Sequence, residues 1–103
     1  MKDNPIICNT AKLLKKSCAD IKKIFLISFK VDNESELTSF KLALILDDNT
    51  HNLPELECRL YLEVDCELPF DLVIYRESEF DRLKNEIGTF AWKIENSGAE
   101  IYG

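Results

Sequence analysis

The stretch KIFLISFKVDNESELTSFKLALIL, residues 23–46, contains two apolar runs separated by a polar linker of seven residues. The runs, residues 23–31 and 39–46, are rich in β-branched, aromatic and leucine side chains, which is typical of buried strands. The linker is too short to hold a long crossover helix. We therefore predict two strands that are neighbours in one sheet.

Helix signals surround this pair of strands. Thr10 is a candidate N-cap, Pro54 suits a first helical turn, Ser78 is a further candidate N-cap, and Gly98 is a candidate C-cap. Pro69 is expected to end the second helix. The predicted elements, in chain order, are a helix capped by Thr10, strands 23–31 and 39–46, a helix through 55–68, a strand at 70–75, a helix at 79–87, a short helix within 88–98 and an extended segment at 99–103.

This order predicts an α+β fold, an α/β sandwich in which helices back a mixed sheet of about four strands. The chain has 103 residues, of which 46% are apolar, so we expect one small domain over residues 1–103. No apolar run approaches the roughly 20 residues that span a bilayer, and the first residues lack the pattern of a signal peptide. We expect a cytoplasmic protein without a membrane partner.

Cysteine and charge patterns limit the classes of site. The four cysteines form no Cys-x-x-Cys pair and His51 is the one histidine, so the sequence predicts no metal site, and reduced cysteines are expected. The net charge of −6 is divided along the chain, with +5 in residues 1–30 and −11 in residues 31–103. The acidic remainder argues against general binding of nucleic acid.

The segment PFDLVIYRESEFDRLKNEIGTFAWKIENSGAEIYG, residues 69–103, has a strand carrying Asp71, a helix opened by polar residues, a helix after a glycine and a closing Gly-x-x-hydrophobic-Tyr. In this it resembles the minimal nucleotidyltransferases of the polymerase-beta superfamily, and the resemblance runs from about residue 10 to the end. It implies a nucleotidyltransferase-like fold and a nucleotide site in front of the second strand.

The chain departs from that family at its two signature motifs. An alignment without gaps places the family's Gly-Ser on Ser28 and Phe29, and its Asp-x-Asp on Phe40 and Leu42. A bulky side chain hinders the close approach of the backbone to phosphates, and Phe and Leu cannot ligate Mg²⁺. The resemblance therefore implies a protein that keeps the fold of the family but lacks the residues that bind its metal ions.

Two positions of the family pattern are kept. Ser39 corresponds to the serine before the Asp-x-Asp, and Asp71 corresponds to the carboxylate on the third strand. Because two-metal catalysis of nucleotidyl transfer needs several carboxylates on one face, Asp71 alone predicts no metal site and no catalytic residue. We do not predict an enzyme from these residues, although the question stays open.

The resemblance suggests a binding or regulatory module. Minimal nucleotidyltransferases are often paired with a small helical HEPN protein as toxin and antitoxin, so we expect either such a partner or a homodimer. Phe29, Phe40 and Leu42 are the candidate partner-binding residues, because an apolar former site is either filled internally or left exposed. No cofactor is expected, and residual nucleotide binding stays open.

The alternative is an active nucleotidyltransferase with a rebuilt metal site. It would use Mg²⁺ and a nucleoside triphosphate, and would transfer a nucleoside monophosphate to a protein or a small molecule. Asp32, Glu34 and Glu36 in the linker could approach Asp71 in such a site. The Asp47–Asp48 pair follows the second strand and lies on the order of 15 to 20 Å beyond Leu42, which is too far.

Overall fold

The computed structural model describes residues 1–102, and in this part of the chain four helices and four strands follow one another in the order that the sequence predicts. The elements are α1 (Pro5–Ser17), β1 (Ile21–Val31), β2 (Leu37–Leu46), α2 (Leu53–Glu63), β3 (Phe70–Arg76), α3 (Glu77–Leu83), α4 (Phe90–Ser97) and β4 (Ala99–Tyr102). The α+β class is confirmed. No helix among these is long and apolar enough to cross a membrane.

The four strands form one mixed sheet in the order β3-β2-β1-β4. β1 pairs antiparallel with both β2 and β4, and β2 pairs parallel with β3. The neighbouring strands predicted from residues 23–46 are therefore confirmed. β2 receives hydrogen bonds from both sides, whereas β3 and β4 are the two edges.

Helices cover both faces of the sheet. α1 and α2 pack on the face that contains Leu42 and Leu44, while α3 and α4 pack on the face that contains Ala43 and Ile45. Successive side chains of a strand point to opposite faces, so the part of β2 that is buried on both sides has to be apolar without interruption. This explains why residues 42–46 contain no polar side chain.

The first helix begins earlier than the sequence predicts. Asn4 is its N-cap, because its side-chain oxygen accepts hydrogen bonds from the backbone N–H groups of Ile6 and Ile7 at 2.9 and 3.3 Å. Pro5 then occupies the first turn, where the absence of an N–H group costs nothing. The prediction that Thr10 caps this helix is wrong, since its hydroxyl donates to the carbonyl of Ile6 inside the helix at 2.8 Å.

The second helix is shorter than predicted. Leu56 and Leu60 form its buried side, as the sequence indicates, and Val64, which follows the helix, is buried as well. The helix nevertheless ends at Glu63 and does not continue through residue 68. Val64 is already extended, and its N–H group donates to the carbonyl of Leu60 at 2.9 Å. This extended backbone keeps Val64 in the core while the chain turns towards β3.

α3 follows β3 without a loop, which corrects the prediction of a helix at 79–87 capped by Ser78. The residue at the N-cap position is Arg76, and its side chain makes no capping bond. Asp48, from the loop after β2, accepts the N–H group of Ser78 at 2.8 Å instead. A carboxylate at a helix N-terminus is favourable, and here it comes from thirty residues away in sequence.

Gly98 ends α4, as the sequence predicts, and allows the chain to enter β4 at once. A Cβ atom at this position would lie 2.6 Å from the carbonyl oxygen of Ile94. At the other end of α4, Thr89 accepts the N–H group of Trp92 at 3.1 Å. α4 is therefore fixed at both ends by local bonds, which position it over the sheet.

Replacement of Leu42 by Ala should lower the free energy of unfolding by about 2–5 kcal/mol, because the side chain is fully buried and a cavity would remain. The matched control is Leu62→Ala, which removes the same atoms from a side chain that is 87% exposed and should change stability by at most about 0.5 kcal/mol. Urea unfolding followed by circular dichroism measures both. Equal effects would contradict the placement of Leu42 in the core.

Candidate functional site

A row of polar side chains crosses the sheet where β1 ends and β2 and β3 begin. Lys41 of β2 lies opposite Ser28 of β1 on one side and opposite Asp71 of β3 on the other. Cross-strand partners share a face, so these three residues, which we call the polar row, point to the side of the sheet that carries α3 and α4. Lys30 and Ser39 form the next pair outwards on the same face.

The polar row differs from a metal site in its charges. Its central member is the ammonium group of Lys41, which lies 5.9 Å from the centroid of the Phe90 ring. Asp71 is the one carboxylate in the row, and it is exposed. An ammonium group cannot ligate a cation, and it raises the electrostatic cost of placing Mg²⁺ nearby. The lysines and serine hydroxyls on this face can instead donate hydrogen bonds to an anion.

An aromatic row crosses the opposite face at the same end of the sheet. Phe29 lies opposite Phe40, the rings of Phe40 and Phe70 are stacked with centroids 5.9 Å apart, and Tyr61 of α2 lies 5.4 Å from Phe70. The inner ring, Phe40, is 3% exposed, whereas the outer rings of Phe29 and Tyr61 are 45% and 40% exposed. Val31 extends the apolar surface beyond Phe29 with 44% exposure.

The structure corrects two of the predicted partner-binding residues. Phe40 and Leu42 are 3% and 0% exposed, so a partner cannot reach them. They are buried because α1 and α2 cover their face of the sheet. Phe29, the third candidate, is exposed. The prediction of Phe40 and Leu42 as docking residues is therefore wrong, and that of Phe29 stays a prediction.

The six predicted positions of the former nucleotide site separate onto two faces. Ser28, Ser39 and Asp71 belong to the face of the polar row, and Phe29, Phe40 and Leu42 belong to the face of the aromatic row. A nucleotide on one face cannot touch the other. Positions 39 and 41, which share the face of Asp71, are the ones that could form a joint site with it.

The sequence analysis did not include Lys41 and Lys30 among the candidate site residues. A signal was present, because the alternation in residues 37–46 already assigns Phe40 and Leu42 to one apolar face and leaves residues 39 and 41 to the other. The face to which Asp71 points depends on the pairing of β2 with β3, which local sequence does not determine. The structure shows that Asp71 shares the face of Lys41.

The acids considered for a rebuilt metal site do not surround Asp71. One oxygen of Asp32 accepts the N–H groups of Glu34 and Glu36 at 2.8 and 3.0 Å, which holds this carboxylate within its own turn. Asp47 and Asp48 lie at the far end of β2, about 20 Å from Lys41 at about 3.3 Å per residue. Within residues 1–102, no group of three His, Cys, Asp or Glu side chains could hold a metal ion.

The two acids at the far end of β2 have structural partners. Asp47 accepts the N–H group of Asn49 at 2.9 Å and lies 3.6 Å from the ammonium of Lys22. The backbone hydrogen bond from Asn49, helped by Lys22, lowers the pKa of the Asp47 carboxyl below its usual value. These contacts hold the loop between β2 and α2, from which Asp48 reaches α3.

A cavity of about 700 Å³ lies at this far end, between α2 and the loop before it. His51, Cys18 and Cys58 are among its lining residues. Arg59 crosses one side and donates to the carbonyl of Ser17 at 3.2 Å. The cysteines are free thiols, and none of the residues that line the cavity belongs to the polar row or the aromatic row.

Tyr61 fixes the outer end of the aromatic row. Its hydroxyl oxygen accepts the N–H group of Leu72 at 2.7 Å, which connects α2 to the edge strand β3. Burial raises the pKa of the Tyr61 phenol and the carboxylates of Glu57 and Asp71 raise it further, while the hydrogen bond from Leu72 opposes them. The neutral phenol is therefore the form that the folded protein favours.

Replacement of Tyr61 by Phe should lower the free energy of unfolding by about 1 kcal/mol at neutral pH, because the N–H group of Leu72 loses its acceptor. Since the folded state raises the pKa of Tyr61, the contribution of this residue is fully present below the unfolded pKa of about 10 and declines as the pH rises above it. Urea unfolding of both proteins at pH 7 and pH 11 measures the difference. A Tyr61→Phe variant as stable as the parent at pH 7 would contradict the bond.

Comparison of the chain with protein-family models, with curated proteins and with solved structures gave no match. The resemblance to nucleotidyltransferases consequently stays a prediction. The polar row and the aromatic row are the features from which a function can be proposed. Each has exposed side chains at the same end of the sheet, charged groups and hydroxyls on one face and aromatic rings on the other.

Proposed function

We propose that this protein is a nucleotidyltransferase-like domain without metal-dependent catalysis, which acts as a binding or regulatory module. The order of its helices and strands and the carboxylate of Asp71 on β3 support the resemblance. The observation that carries the proposal is the position of Lys41, which lies between Ser28 and Asp71 on one face of the sheet.

The chemistry of nucleotidyl transfer explains why the position of Lys41 argues against metal-dependent catalysis. Two metal ions clamp the attacking and leaving oxygens, and carboxylates at i and i+2 of one strand share a face with the third. In this fold the positions that share the face of Asp71 are Ser39 and Lys41. A hydroxyl and an ammonium group stand there, so the protein offers one carboxylate and a repelling charge to a metal ion.

The aromatic row provides the proposed protein-binding surface. Exposed aromatic rings that are supported from behind by buried ones are typical of the residues that dominate interface energies. Phe29 and Tyr61, with Val31 beside them, have this arrangement. By analogy with the family, the partner is a small helical HEPN-type protein, as in toxin–antitoxin pairs, or a second copy of this chain. The free cysteines fit a reducing compartment such as the cytoplasm.

Calorimetric titration with nucleoside triphosphates, with and without Mg²⁺, tests the loss of catalysis. We expect no Mg²⁺-dependent heat at millimolar nucleotide, because the ammonium group of Lys41, and not a second carboxylate, lies beside Asp71. Binding that is independent of Mg²⁺ would agree with the proposal and with an anion site at the polar row. Mg²⁺-dependent binding at micromolar strength would contradict the proposal and favour the alternative, transfer of a nucleoside monophosphate to a protein or small molecule through a rebuilt site.

A gain of metal binding tests whether the polar row occupies the place of the family's metal site. The double variant Ser39→Asp/Lys41→Asp should bind Mn²⁺ or Mg²⁺, because it places three carboxylates with Asp71 on one face. The control Lys93→Asp/Ser97→Asp makes the same chemical changes at exposed positions of α4. Calorimetry with the metal alone is the measurement. Equal heats for the two variants would show that the polar row does not occupy the place of the family's metal site.

The partner surface is tested by the mass of the protein in solution. If a second copy is the partner, light scattering should give twice 11.9 kDa, and Phe29→Asp should restore the monomer. The control is Ile87→Asp, which places the same charge on another exposed apolar residue, 84% exposed. A dimer that survives Phe29→Asp would rule out this surface, and a monomer at every concentration would leave only the helical partner.

A further inference from the structure

A groove separates α1 from the edge strand β4. This strand is the neighbour of β1 on the side that faces away from β2. The groove has a volume of about 290 Å³ and its surface is mainly apolar. The lining residues, contributed by α1 and β4, are Cys8, Ala11, Lys12, Lys15, Ile101 and Tyr102. The groove can therefore accept one apolar side chain, with positive charge at its margin.

The backbone of β4 is available beside this groove. β4 ends the sheet order, and among residues 1–102 it has a strand partner on the β1 side only. Alternate N–H and C=O groups of an edge strand point outwards and can pair with another chain. The strand contains no proline, and its one charged side chain, Glu100, lies 3.9 Å from Lys23 of β1. Nothing within β4 itself prevents the addition of a strand.

The charges that α1 places beside this edge have one sign. α1 carries Lys12, Lys15 and Lys16 and no acidic residue. The ammonium of Lys15 donates to the carbonyls of Ala19 and Ile21 at 2.8 and 2.9 Å, and this fixes its charge next to β4.

One further contact and one exposed lysine define the positive margin of the groove. The same ammonium of Lys15 lies 5.3 Å from the centre of the Tyr102 ring. Lys12 is exposed and makes no ion pair within residues 1–102. An occupant of the groove therefore meets one fixed positive charge and one that is free to pair.

We propose that the edge of β4 and this groove bind an extended acidic peptide segment by strand addition. The peptide backbone pairs with the outward N–H and C=O groups of β4, and one apolar side chain enters the groove. Carboxylates of the peptide then lie near Lys12 and Lys15. The site does not include the polar or the aromatic row and is independent of the function proposed above.

Charge distinguishes this occupant from a second copy of the chain. A twofold pairing of β4 with β4 would bring the two α1 helices towards each other, each with lysines at the margin of the groove. Like charges facing one another across an interface are unfavourable. An acidic segment has the opposite charge and gains from the same lysines.

Fluorescence anisotropy with a labelled peptide tests the proposal. The probe is a peptide of about seven residues in which glutamate alternates with valine, since alternate side chains of a strand share a face. Two control peptides keep the same length. In one, lysine replaces glutamate, and in the other, alternate backbone nitrogens are methylated so that strand pairing is blocked. We expect saturable binding of the first peptide alone, weakened by added salt.

Variants of the full chain locate the binding site. Lys12→Glu should weaken the binding of the acidic peptide by about tenfold, because an attraction becomes a repulsion. Lys93→Glu, with the same change of charge at an exposed position of α4, should leave the affinity unchanged. Amide hydrogen exchange should show new protection of β4 on addition of the acidic peptide.

Several results would overturn the proposal. These are failure of the acidic peptide to bind at millimolar concentration, equal binding of either control peptide, and an affinity that Lys12→Glu does not change. Protection of the outward amides of β4 without any peptide, in a protein with the mass of a dimer, would assign the edge to a second copy. None of these results depends on whether the protein binds nucleotide or uses its aromatic row.

Discussion

The burial of β2 on both faces is the constraint on which the rest of the structure depends. This strand pairs with β1 on one side and with β3 on the other, while α1 and α2 cover one face and α3 and α4 the other. A strand so enclosed can present a polar side chain only at its ends. The helices do not cover both faces at the first residues of β2. Polar and apolar side chains are therefore exposed together at this end of the sheet.

That end of the sheet has two different faces. On one, Lys41 lies between a serine and an aspartate, and on the other Phe40 is enclosed by neighbouring aromatic rings. Adjacent residues of a strand point in opposite directions. If the family's Asp-x-Asp is aligned with β2 one residue earlier or later, its two positions therefore move from one face of the sheet to the other. The identity of residue 41 therefore bears more on the question of metal chemistry than the identity of the buried residues 40 and 42.

The division of charge along the chain also has a structural consequence. Three lysines of residues 1–30 belong to α1, which lies beside the edge strand β4, and three more belong to β1. Two of the lysines of α1, Lys12 and Lys15, line the groove next to the unpaired edge of β4. The groove between α1 and β4 places apolar surface beside these charges, which a solvated helix face alone would not do.

The sequence by itself determined the order of helices and strands, the pairing of β1 with β2, and the apolar stripe of α2, because these depend on local periodicity and short linkers. It did not determine the ends of the helices where the capping group is remote, as Asp48 is for α3. It also did not determine which side chains share a face with Asp71 or that Phe40 is covered. These were decided by the pairing of β2 with β3 and by the packing of α1 and α2, since both join residues that are far apart in the chain.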